Sequence, residues 1–179
     1  MNSDHIRLRF GSYGVEVITQ NSQQRLANLY SDHVSGRVCR TLALTHFLLP
    51  LAAELEQSDA LIRNGASIGA TLRADDWQLS KSDLSLGYAH CGQHFERLTS
   101  GEVQRGTPIA VQVYALSAAR NNARYAYAII AEAFHPDHVV KESHSEAVDQ
   151  LHERLGEPLA VALGQLKYYL EHSPEDGNH

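Results

Sequence analysis

Apolar residues recur along this chain with two periods, and the change between them separates strand-forming from helix-forming stretches. Side chains two apart share one face of a strand, whereas spacings of three and four draw a stripe along a helix. Residues 6–10 and 15–19 are short and flank a turn-rich GSYG, so two short strands are expected there. Residues 24–30 and 37–47 predict a hairpin across the polar stretch 32–36, with a helical turn over 23–29 as the alternative. From Pro50 the apolar residues stand among Glu and Gln without β-branched crowding. A helix started by proline and stopping near Asn64 and Gly65 fits them. Residues 67–72 add a further helical turn, with Ser67 in the N-cap position. Alternation returns over 77–86 as a strand, and the polar, glycine-punctuated 87–106 reads as a long loop.

The clearest element is the hairpin 109–119 and 123–134. Its connection is Asn121-Asn122, and asparagine tolerates the positive φ of tight turns. Pro136 ends its second strand. Beyond it, Val148, Leu151, Leu155, Leu159, Leu163, Leu166 and Leu170 form a helical stripe that Gly156-Glu157-Pro158 divides into two helices. The pattern predicts an α+β chain, a largely antiparallel β-sheet with helices packed on one face. One domain over 1–172 is expected, followed by a tail, 173–179, of frayed composition.

The length of 179 residues suits such a domain, which buries roughly 70% of the surface its unfolded form exposes. Cys39 and Cys91 lie far apart without a CxxC spacing, so neither a disulfide framework nor a zinc ribbon is expected, and a reducing cytoplasm is the simpler setting. A pairing of Cys39 with His46 as nucleophile and base fails on strand geometry, which puts them on opposite faces about 23 Å apart. The start of the chain lacks the pattern of a signal peptide, and no apolar run approaches a bilayer's thickness. The net charge of −6, with no dense basic cluster, argues against a nucleic-acid surface.

Three charges keep apolar company. Glu132 shares its strand face with Ala126, Ala128, Ile130 and Phe134, Arg40 with Val38, Leu42 and Leu44, and Arg25 with Ala27 and Leu29. A buried charge demands a partner, a ligand or water. Two guanidinium groups against one carboxylate leave a positive balance that an anion would complete, and the small Ala126 and Ala128 leave room for a ring. The bland alternative for each is a strand-end side chain with a solvated head.

Four stretches resemble the chorismate lyase family, and by extension the UTRA-type ligand-binding domains of bacterial regulators that share its fold. They are QRLANLY at 24–30, GRVCRTL at 36–42, SIGATL at 67–72 with LSK at 79–81, and IAEAFHP at 130–136. The resemblance covers residues 15–136, and the fifteen positions from Arg25 to Arg40 fit the family's spacing. It implies an enzyme that eliminates pyruvate from chorismate, or from a similar cyclic carboxylate, to leave an aromatic hydroxy acid such as 4-hydroxybenzoate, without metal or organic cofactor. Arg25 and Arg40 would hold the substrate's carboxylates, Glu132 would act as acid/base or ring-hydroxyl partner, and Ala128 would lie beside the ring. His135 departs from the family's usual apolar residue before the proline, the chain adds a helical tail, and the 87–106 loop matches no lid. A non-catalytic binding domain for a small aromatic carboxylate is therefore the alternative. Regulators of that kind carry a helix-turn-helix ahead of the ligand domain, for which this chain has no residues to spare.

Rival constellations are weaker. His90, His94 and Glu96 with His135 and His138 could be assembled into a metal site of a His-dependent metalloenzyme, but His90 and His94 have ligand-like spacing only on a helix. Tyr114, Tyr125 and Tyr127 suit cross-strand packing better than ligand stacking. The C-terminal leucine stripe is either core or the face of a homodimer.

Overall fold

The hairpin about Asn121 and Asn122 supplies two inner strands of the sheet. Its strands, β5 (Pro108–Arg120) and β6 (Ala123–Phe134), pair through a turn in which both asparagines take positive φ. The computed structural model describes residues 2–177. With β1 (Gly14–Gln20), β2 (Gln24–His33), β3 (Gly36–Phe47) and β4 (Gln78–His90), the hairpin forms a six-stranded sheet in the order β1-β2-β3-β6-β5-β4, antiparallel at every pairing.

Helices cover both faces of this sheet rather than one. The strands alternate apolar residues in both phases, so each face needs a cover. On one face Leu42, Leu44, Val113 and Ala131 pack against α4 (Gln93–Leu98), α5 (Val148–Arg154) and α6 (Glu157–Glu171) through Phe95, Leu151, Leu163 and Leu166. On the other, Phe47, Tyr114, Leu116 and Ile130 meet Leu55, Ile62 of α2 (Glu56–Arg63) and Leu72 of α3 (Ile68–Ala74). The predicted split of the C-terminal stripe at Gly156 is present, and Pro158 lies in the first turn of α6, where its missing N–H costs nothing.

Several expectations are corrected. Residues 6–10 belong to a helix, α1 (Asn2–Phe10), not a strand. Ile6 is fully buried while Leu8 is 84% exposed, a contrast that a strand face shared by both would not give. Arg7 and Arg9 suit the negative end of the helix dipole, and Gly11 closes it at φ +79°, donating to the Arg7 carbonyl. The helix expected from Pro50 begins later, as a 3-10 turn at Ala53–Leu55, because Ala52 is still extended. The 87–106 loop carries the end of β4 and then α4, held down by the fully buried Phe95. The tail winds a 3-10 turn at Pro174–Gly177, and residues 178–179 lie outside the described residues. Among the described residues no helix is long and apolar enough to cross a membrane.

Candidate functional site

Small side chains at the middle of the sheet create the site. Ala27, Ala43 and Glu132 follow one another across β2, β3 and β6 in register, so two methyl groups floor a depression beside a carboxylate. Asn2 and Ser3 of α1, Tyr13, and Ser67, Ile68 and Gly69 at the start of α3 close it above, and Lys81 and Tyr114 stand at the far wall. The resulting cavity is about 230 Å³. A cavity of about 150 Å³ takes benzene, so there is space for a ring with substituents.

Arg25 is the informative residue. It is 2% exposed, and Nη1 donates to the carbonyls of Ile62 (2.9 Å) and Ala66 (2.8 Å), while Nε is buried without a partner. Among the described residues no carboxylate forms an ion pair with it, and burial pushes its pKa down. A fixed cation without a counter-charge, against apolar walls, favours an anion placed beside it. The Ser3 hydroxyl, also lining the cavity, is a second buried polar atom without a partner.

Glu132, 5% exposed, is held by donors rather than cations. Asn2 Nδ2 donates to Oε1 at 3.2 Å, and Gln112 Nε2 donates to Oε2. Tyr114 lies against the same carboxylate; burial first, and that charge second, push its phenol pKa well up, so it stays neutral. Asn2 is oriented from behind, because His138 Nε2 donates to its Oδ1. Burial, aided by His5, Arg9, His135 and Arg40, lowers the His138 pKa from 6.5 to about 4.

A folded-state pKa below the ordinary value means that the neutral ring's contribution is complete above pH 6.5 and is lost as pH falls through 4. We expect the urea midpoint to fall over that interval, and His138→Gln, which keeps a donor but does not titrate, to flatten about 1 kcal/mol of the fall after solvent screening. Equal pH profiles for the two proteins would refute this role.

Arg40 stands apart from the cavity lining. It is the extra residue of a β-bulge: Leu29 pairs with Thr41 and Tyr30 with Cys39, leaving Arg40 without an opposite number. Bulges re-aim side chains. Here Nε donates to Ser31 Oγ at 2.8 Å, Nη1 pairs with Glu102 at 3.1 Å, and the guanidinium carbon lies 4.1 Å from the Phe10 ring centroid. Its charge is met within the protein. A second bulge, at Tyr127, reverses the alternation of β6, so Ala126 leaves the face of Glu132. Ala128 remains on that face but is fully buried among Phe47, Tyr127 and Leu55, away from the cavity. Lys81, of the LSK stretch at 79–81, lines the cavity and Arg40 does not; its strand position two residues from Leu79 is the signal in the sequence.

The histidines scatter. His94 Nδ1 bonds the Tyr169 carbonyl at 2.7 Å and His138 is committed to Asn2. Among the described residues the ligating side chains that cluster are Glu102, His135 and Asp137, within 4.8 Å of one another. Arg40 already neutralises Glu102 there, and His135 Nδ1 accepts the Asp137 N–H at 3.1 Å. Both cysteines are buried thiols, and burial pushes that of Cys91 up to about 11, which leaves it unreactive.

Fold and cavity together define an antiparallel α+β domain with a partly open recess whose described lining carries two cations and one carboxylate. No family model and no curated protein matches the chain. Among solved structures, it is similar to the C-terminal domain of Yurk from Bacillus subtilis, with a TM-score of 0.38 and 11% identity over 70% of this chain and 87% of that one.

Proposed function

We propose that this domain binds a small organic carboxylate with a ring-sized apolar body, its acid group on Arg25 and a ring hydroxyl or similar donor toward Glu132. The observation that carries the reading is the buried guanidinium of Arg25, which has no carboxylate partner among the described residues and opens on an apolar cavity. Charge supports a single acid group at the buried end of the site, where Arg25 stands without a counter-charge among the described residues, whereas Lys81 is exposed at the wall. Arg40, satisfied by Glu102, takes no part.

A second reading, elimination of pyruvate from chorismate or a similar cyclic carboxylate, draws on Glu132 and Tyr114 being placed together at the cavity. There Arg25 would hold a carboxylate and Glu132 would manage the proton. The binding reading is preferred because one cation, not two, is left for the substrate's acids in the buried part of the site.

One experiment separates them. Titrate the protein with 4-hydroxybenzoate by calorimetry, then incubate it with chorismate and follow pyruvate. Saturable binding at one site without pyruvate is expected. Pyruvate release that Glu132→Gln abolishes would replace binding with catalysis, and no interaction with either compound would remove both readings.

A further inference from the structure

Lys81, on β4, lines the cavity at the opposite side of the sheet from Arg25 on β2. It is exposed, and its ammonium sits 3.9 Å from the centroid of the Tyr114 ring. Among the described residues it forms no ion pair. An exposed lysine ordinarily extends into water or pairs with a neighbouring acid. This one is drawn over an aromatic face at the cavity wall, where the ring's quadrupole holds a cation. The ring itself is fixed, since Tyr114 is 5% exposed and lies against Glu132.

The two cations occupy opposite ends of the recess. Arg25 is on β2 and Lys81 on β4, four strand spacings apart in the order β2-β3-β6-β5-β4, which is about 19 Å between backbones. Lys81 reaches inward as far as the Tyr114 ring on β5, which leaves three strand spacings, about 14 Å, to the backbone of β2. Between them lie Ala43, Thr45, Ile130 and the carboxylate of Glu132. That carboxylate repels an acid placed midway, so negative charge on a ligand is favoured at the two ends.

We propose that Lys81 is an outer anchor of this site, and that the ligand is a rod-shaped dicarboxylate whose buried acid meets Arg25 and whose second acid meets Lys81 at the far wall. The proposal rests on the carboxylate-binding reading of the cavity. Lys81 acts in water-exposed surroundings, so its effect is on selectivity between ligands and is sensitive to salt.

The test uses a matched pair of probes, 3-(4-carboxyphenyl)propionate and 4-propylbenzoate, which share ring and chain length and differ by one acid group. Calorimetry on the full chain at low salt should show the diacid binding about fivefold tighter. Lys81→Met should bring that ratio to about one, as should raising the salt to 1 M, which shortens the screening length to about 3 Å. A ratio of one in the unaltered protein, or a preference that survives Lys81→Met, overturns the anchor and leaves the carboxylate reading standing. Failure of both probes to bind overturns that reading and the anchor with it.

Discussion

Replacing Arg25 with methionine is expected to weaken binding of 4-hydroxybenzoate by about 2–5 kcal/mol, roughly thirty- to several-thousand-fold. The magnitude follows from desolvation. A cation that is 2% exposed has already lost its water, so a carboxylate arriving beside it recovers an interaction that solvent cannot supply. The fold should suffer far less. Methionine strands the carbonyls of Ile62 and Ala66 that Nη1 now serves, but it also removes a buried charge that burial disfavours, and the two effects oppose one another. Circular dichroism and a urea titration check that expectation, and calorimetry reads the affinity. Arg25→Lys should recover part of the binding, because it restores charge without the planar fork. Affinity within threefold of the unaltered protein in a folded Arg25→Met variant would show that the acid group of the ligand lies elsewhere.

Leu163→Ala should cost about 2–5 kcal/mol of stability, the range for emptying a fully buried leucine site. Leu163 belongs to α6, which packs across β3, β5 and β6, and its neighbours include the fully buried Leu151 and Phe95. With a urea slope of about 2 kcal/mol per molar the midpoint drops by about 1–2.5 M. Val161→Ala, on the exposed side of the same helix, should shift it by less than about 0.5 kcal/mol. This contrast decides between the two readings of the leucine stripe. A small effect at Leu163 with a concentration-dependent one at Val161 would make the helix an interface between copies instead of part of the core.

What was legible in the chain followed from local rules. The Asn121-Asn122 hairpin, the end of β6 at Pro136 and the division of the last helices at Gly156 each depend on residues adjacent in sequence. The strand faces of Arg25 and Glu132 were also readable, because the two-residue alternation is unbroken from Arg25 to Leu29 and from Ala128 to Glu132. The α1 helix was not: five residues with two apolar-polar alternations fit a strand as well as a helix end. Its helical state is settled by Ile6 finding a fully buried place.

The limits of sequence are clearest at Arg40, Ala128 and Lys81. A bulge is one residue of excess on one strand, and its place depends on the partner strand's register, which no local pattern contains. The bulge at Arg40 sends that guanidinium to Glu102, sixty-two positions away, and so keeps it out of the cavity lining. Lys81 enters the cavity because β4 pairs outside β5 and not beside β2. By itself the sequence determined an antiparallel α+β chain with unusual charges among its apolar strand residues, since alternation and turn chemistry act over a few bonds. Which of those charges remain without a partner was decided by tertiary structure alone, because a counter-charge is a matter of distance in space.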